Sequence, residues 1–203
     1  MKESLIEVLS KEKLFPIVRS SDAKKAIDTA KAMIEGGAKI VEVNVENPSI
    51  YSAIQEISKD AIVCAGGIIT SLQAQSAIDC GAEVLSSPIF HMNLVKLSKD
   101  KHVPYIAGTS TANEAYNAWK ARISVVKIYP VTPMGGVLYI KDLLRPMPFL
   151  NVIPMGNVKL AEIPQYIKAG ALAVGVGRDL YQDYSFSEIT KRTAETLKIL
   201  KEQ

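Results

Sequence analysis

A single lysine in an apolar run, Val125-Val126-Lys127-Ile128-Tyr129-Pro130, is the residue of this chain best placed for covalent chemistry. Side chains alternate faces along a strand, so Val125, Lys127 and Tyr129 share one side and Val126 and Ile128 take the other. In a central strand the ammonium is partly desolvated, which lowers its pKa and frees the amine as a nucleophile. Such amines form Schiff bases with carbonyl compounds. A lysine that snorkels from a strand end, or pairs with a carboxylate, fits the same hexapeptide.

Glu42 is the second polar residue set in an apolar strand. Ile40, Glu42, Asn44 and Glu46 share one face, while Val41, Val43 and Val45 share the other. With the valines turned toward outer helices, Glu42 and Asn44 point inward. A buried carboxylate facing a buried lysine suits general acid–base work on carbinolamine and enamine steps. A structural ion pair with Lys127 or Arg19 fits the spacing equally well. Arg19 ends Ile17-Val18-Arg19, where a guanidinium can grip a carboxylate or phosphate or simply carry surface charge. Gly175-Val176-Gly177-Arg178 and Met155-Gly156-Asn157 each follow a strand-like run, and glycines there let backbone amides approach an anion.

These residues need a scaffold that brings separate strand ends together. Strand-like and helix-like segments alternate from end to end, the mark of a parallel α/β fold. The strand candidates are Phe15–Arg19, Ile40–Val45, Ala61–Gly66, Val84–Pro88, Tyr105–Gly108, Val125–Tyr129, Asn151–Met155 and Ala173–Gly177. Eight of them favour a closed (β/α)₈ TIM barrel over an open sheet, with its active site at the C-terminal strand ends. Intervening helices are expected over Asp22–Glu35, Ile50–Lys59, Leu72–Asp79, Met92–Lys99, Ala112–Lys120, Leu138–Leu144, Leu160–Lys168 and Ser187–Leu200. Glu35-Gly36-Gly37-Ala38, Asp79-Cys80-Gly81-Ala82 and Lys168-Ala169-Gly170-Ala171 form a weak repeat that turns each helix back into a strand. Ser21 or Asp22, and Thr111 with Glu114, mark helix starts. With no linker or composition break, residues 1–203 are expected to form one barrel domain, its first dozen residues a helix across the floor.

Composition narrows the function classes. The chain is 48% apolar and 22% charged, and 24 basic against 21 acidic residues give a net charge of +3. The charges are mixed, so nucleic acid is not expected as a partner. No apolar run is long enough to span a bilayer and Met1-Lys2-Glu3-Ser4 lacks a signal-peptide pattern, so no membrane partner is expected. Cys64 and Cys80 read as reduced, packed thiols of a cytoplasmic protein. With His91 and His102 outside any metal-type cluster, neither a metal nor another cofactor is expected.

The residues resemble the class I aldolases for 2-keto-3-deoxy-6-phosphogluconate (KDPG), its galactonate epimer (KDPGal) and 4-hydroxy-2-oxoglutarate (KHG), from about Leu14 to Tyr181. The likeness is carried by Val41-Glu42-Val43 with Asn47-Pro48, by Ala65-Gly66, Ser87-Pro88 and Val126-Lys127-Ile128-Tyr129-Pro130. Gly135-Gly136 and Ala173-Val174-Gly175-Val176-Gly177 add to it. The resemblance implies a metal-free trimeric lyase of carbohydrate metabolism, of the Entner–Doudoroff kind, acting on a keto-deoxy sugar acid and releasing pyruvate. Lys127 would form the Schiff base, Glu42 would shuttle protons, Tyr129 and Pro88 would shape the wall, and Arg19 would stand at the rim. Where the family has a threonine for the pyruvate carboxylate, this chain has Gly67. Some members place an arginine at Glu46, paired glycines at Gly156-Asn157, and a small residue at Arg178. A KDPGal preference, a sugar-phosphate epimerase and a non-catalytic sugar-binding barrel are the alternatives.

Overall fold

The computed structural model describes residues 3–202, so Met1 and Lys2 of the expected N-terminal run lie outside the described residues. Eight parallel strands, β1 (Leu14–Val18), β2 (Ile40–Asn44), β3 (Ile62–Gly66), β4 (Val84–Ser86), β5 (Tyr105–Thr109), β6 (Val125–Ile128), β7 (Val152–Pro154) and β8 (Val174–Val176), lie in the order β7-β6-β5-β4-β3-β2-β1-β8. Leu172 N–H donates to Val152 O at 3.0 Å and draws β8 toward β7. The fold is the expected (β/α)₈ TIM barrel.

The helices are α1 (Leu5–Glu12), α2 (Ala23–Glu35), α3 (Ile50–Ile57), α4 (Ser71–Asp79), α5 (Met92–Lys101), α6 (Ala112–Lys120), α7 (Gly136–Leu144), α8 (Ile163–Lys168), α9 (Arg178–Tyr181) and α10 (Phe186–Lys201). Asp22 rather than Ser21 caps α2, accepting from Lys25 N–H at 3.0 Å, and Thr111 with Glu114 forms the expected capping box. The recurring glycine corner is real. Gly37, Gly81 and Gly170 have φ of +100°, +96° and +102°, a backbone that side chains with a Cβ resist.

Two apolar layers follow from strand alternation. Val41, Val43, Val126 and Ile128 face the outer helices, whereas Phe15, Ile40, Cys64, Val84, Ile106, Val125 and Ile153 fill the barrel. Leu5, Val8 and Leu9 of α1 join that interior cluster from below, so α1 does plug the floor. Two expectations change in detail. Leu160–Lys168 splits into a 3₁₀ turn at Leu160–Glu162 and α8, with Pro164 in the first turn of α8, where its missing N–H is tolerated. Several strands are shorter than expected, which leaves Pro88, Tyr129, Met155 and Gly177 in the loops of the mouth.

Candidate active site

Lys127 lies on β6, registered beside Gly108 of β5 and Ile153 of β7. It is 5% exposed, and Glu42 on β2 is 1% exposed. Their shared inward parity brings Lys127 Nζ to 3.8 Å from Glu42 Oε1. The amine has a nearer partner, donating to Ser86 Oγ of β4 at 2.8 Å. Glu42 Oε2 is buried without a hydrogen-bond partner among the described residues. An orphaned carboxylate oxygen costs about 1–3 kcal/mol or more, and such atoms persist where a site uses them.

Glycine makes this packing possible. A Cβ at Gly66 would stand 2.6 Å from Glu42 Oε1 and 2.7 Å from its Cγ, so the carboxylate lies in space that only glycine leaves. Gly108 likewise admits the backbone of Pro88, whose carbonyl carbon and oxygen would be 2.2 Å from a Cβ there. Pro88 is thereby held against β5 at the mouth, on the same side as Tyr129, whose ring centroid is 5.9 Å from Lys127 Nζ. Gly67, at the end of β3, has φ +72°, and a Cβ would meet Asn44 Oδ1 at 3.2 Å. A threonine in this backbone would be strained as well as crowded.

Beneath the lysine, burial pushes the Cys64 thiol well up, helped by the Glu42 charge and opposed by Lys127 and Ser86. Cys64 is therefore a neutral neighbour of Lys127 and Glu42. Its place in a strand gave it away only as a packed thiol. Ser86 was not singled out from sequence; the signal was its parity with Val84 in a three-residue strand.

Two arginines stand at neighbouring strand ends of the rim. Arg19 and Glu46 are exposed and paired, Nε to Oε1 at 3.4 Å. Arg19 thus serves Glu46 and not Glu42. Its backbone is gripped by the Tyr181 hydroxyl, which accepts from Arg19 N–H at 3.3 Å and donates to Arg19 O at 3.1 Å. On the adjoining β8 end, exposed Arg178 donates to Asn157 Oδ1 at 3.2 Å, tying the loops after β7 and β8. Gly156 and Asn157 both have positive φ, +107° and +55°. Asp179 resists the upward push of burial; Leu160 N–H and Lys159 hold its carboxyl below the usual range and fasten α9 to the same loop.

The arrangement offers a desolvated amine, a buried carboxylate with a free oxygen, and two cationic residues at the neighbouring β1 and β8 ends of the opening. That set suits imine chemistry on an anionic carbonyl compound. Clefts of about 550 and 230 Å³ lie instead at the floor, around Ser4, Ala82, Pro104 and Ser124, and around Trp119 and Phe149. The apolar filling of the barrel separates them from Lys127. Among the described residues no group of three or more His, Cys, Asp or Glu could hold a metal ion, and no helix is long and apolar enough to cross a membrane.

A family profile described as KDPG and KHG aldolase matches residues 5–198. The chain belongs to that family. As a KDPG and KHG aldolase family member it is an enzyme of the lyase class. It is 28% identical over 205 residues to the 2-dehydro-3-deoxy-phosphogluconate aldolase of Treponema pallidum, covering 97% of this chain and 98% of the relative. It is 27% identical over 187 residues to the 2-dehydro-3-deoxy-6-phosphogalactonate aldolase of Escherichia coli, covering 90% and 89%. Among solved structures, a native KDPGal structure superposes with a TM-score of 0.82 at 26% identity, covering 93% of this chain and 94% of the other. The KDPG aldolase of Legionella pneumophila, captured with pyruvate as a covalent carbinolamine, shares the fold with a TM-score of 0.86 at 21% identity, covering 97% and 99%.

Proposed function

We propose that this family member is a Schiff-base aldolase that cleaves KDPG to pyruvate and glyceraldehyde 3-phosphate. KHG, giving pyruvate and glyoxylate, and the galactonate epimer are the neighbouring substrates. The observation that carries the proposal is the buried Lys127 amine, with the Glu42 carboxylate 3.8 Å away and one carboxylate oxygen unpaired.

The amine lone pair attacks the C2 ketone, and the carbonyl electron pair moves to oxygen, which takes a proton. Loss of that oxygen as water leaves a C=N bond with one proton on nitrogen. Glu42 then accepts the C4 hydroxyl proton, through water where the span requires it. The C4–O electrons form the aldehyde, and the C3–C4 pair flows into the iminium to give an enamine. A proton returned to C3 and hydrolysis of the imine free pyruvate and regenerate Lys127. An iminium is the stronger electron sink, and burial keeps competing water away.

Arg178 faces only the neutral amide of Asn157, so its charge is available to a phosphate beside Gly156 and Gly177. Arg19 already shares its charge with Glu46 and contributes less. Pro88 and Tyr129 form the apolar wall, and the backbone at Gly67 takes the carboxylate role that a hydroxyl fills elsewhere in the family. Residues 1–203 form one barrel domain working in the cytoplasm as a homotrimer. Exposed Ile69 and Ile89 in the mouth-side loops, with Leu72 and Met92 in the first turns of α4 and α5, supply apolar surface for subunit contact.

The test is borohydride reduction with pyruvate, followed by peptide mass mapping and an assay of pyruvate release from each keto-deoxy acid. An adduct on Lys127 that requires pyruvate supports the proposal. Folded protein without an adduct sends the function to the epimerase or binding-only alternatives.

A further inference from the structure

We propose that Ser86 is a positioning residue that holds the nitrogen of Lys127, first as amine and then as imine, and so leaves Glu42 free to move protons. The proposal rests on the aldolase reading above. Ser86 is fully buried, and its Oγ accepts from Lys127 Nζ at 2.8 Å, a full ångström closer than Glu42 Oε1 at 3.8 Å. A buried hydroxyl needs a partner, and one inside an otherwise apolar barrel needs a reason to be there.

Their meeting is arranged at β5. That strand lies between β4 and β6, and its residue registered with Lys127 is Gly108. Lacking a side chain, Gly108 lets the backbone at Ser87 and Pro88, just past Ser86, close in against β5. Below the contact burial pushes the Cys64 thiol well up, so it adds no second anion beside Glu42 to compete with Ser86 for the nitrogen.

The chemistry follows from counting protons on nitrogen. Condensation forms one C–N bond, expels the carbonyl oxygen as water and leaves a single N–H on the iminium. An acceptor for that N–H fixes rotation about the Cε–Nζ bond, and with it the plane of the C=N group. If Glu42 were the acceptor, the base would be tied to the nitrogen it must leave alone. With Ser86 as acceptor, Glu42 Oε2 keeps no partner among the described residues and faces the reacting carbons unencumbered.

The experiment compares unaltered enzyme with Ser86→Ala, Ser86→Thr and Ser86→Val, the last two being isosteres that differ by the hydroxyl. Each is assayed for pyruvate adduct formation at Lys127, for kcat and KM on the keto-deoxy acid turned over best, and for Tm. Losing a hydrogen bond to a charged nitrogen lowers kcat about 10- to 100-fold in Ala and Val, with KM within about twofold, and Thr restores most of it. A merely structural role would lower Tm without separating Thr from Val. Ala and Val variants that keep the unaltered kcat overturn the Ser86 role and leave the aldolase reading standing. A Thr variant as slow as Val, with equal Tm, also overturns it, because side-chain shape rather than the hydroxyl would then matter. Unaltered enzyme that forms no adduct at Lys127 removes the aldolase reading, and the role of Ser86 with it. Should Val fail to fold, the Ala and Thr pair decides.

Discussion

Gly66→Ala is a one-methyl perturbation aimed at the Glu42 carboxylate. The new Cβ would stand 2.6 Å from Oε1, 2.7 Å from Cγ and 2.8 Å from Cδ. An unstrained contact needs about 3.5 Å, so Glu42 must retreat by roughly 0.8 Å. Misplacing a reacting group by about 1 Å costs on the order of 10²-fold in rate, so kcat should fall about 50- to 100-fold. Overpacking the barrel should cost about 2 kcal/mol, which for a domain of this size lowers Tm by roughly 4–8 °C. Pyruvate release measured with a coupled dehydrogenase gives kcat, and differential scanning fluorimetry gives Tm. Gly37→Ala is the control, since its Cβ meets only Leu197 Cδ1 at 3.6 Å and its cost is the backbone strain of φ +100°. It should lose stability and keep kcat. A Gly66→Ala enzyme within threefold of the unaltered kcat, or a Gly37→Ala enzyme equally slow, would refute the claim that Glu42 depends on that vacant space.

Gly108→Ala drives a Cβ to 2.2 Å from the Pro88 backbone, where no rotamer change can relieve it. It should cost about 3 kcal/mol or more, read as a Tm loss larger than that of Gly66→Ala; equal or smaller loss contradicts the packing. Burial holds the Glu12 carboxyl above its ordinary 4.5, with Lys39 and Lys201 pulling the other way. A folded-state pKa raised above the unfolded one gives stability that is full below the unfolded value and lost as pH rises through the folded value. Glu12→Gln should therefore raise Tm at pH 7 and have little effect at pH 4, and a gap independent of pH would exclude this. Glu46→Gln releases Arg19 from an exposed ion pair, so KM for a phosphorylated keto acid should fall about 2- to 5-fold in low salt and converge in high salt. A KM that rises, or ignores salt, would show that the pair does not influence the mouth.

Much of the site was legible because strand alternation is a local rule. Glu42 and Asn44 fall on the interior face, and Val41 and Val43 on the helix face, as the alternating pattern of β2 requires. Lys127 follows from the same rule on β6. What alternation cannot give is distance across a closed barrel. Ser86 meets Lys127 from two strands away, a contact set by barrel curvature, with the backbone just past Ser86 drawn in against Gly108. In β4 both Val84 and Leu85 are apolar, so neither face announces itself as interior. The Arg19–Glu46 pair depends on how β1 and β2 stagger, Ile17 opposite Glu42, and register is a tertiary property. Most helix starts were readable to within a residue because caps are chemical; α7, starting at Gly136 rather than Leu138, and α8, starting at Ile163 rather than Leu160, have no side-chain cap. Strand ends were less so, since a strand stops where its neighbour stops.

The plug formed by Leu5, Val8 and Leu9 gives the proposed reaction a one-door chamber. Lys127, whose nitrogen would carry the keto acid, is 5% exposed and sits below the mouth, with a sealed floor beneath it. The aldehyde fragment, formed nearer the door, blocks the pyruvyl fragment until it departs. Water for hydrolysis must enter by the route the aldehyde has just vacated. Product release is then ordered, aldehyde first and pyruvate last. In reverse, pyruvate must load before the aldehyde, and excess aldehyde should act as a cork that slows the release of pyruvate.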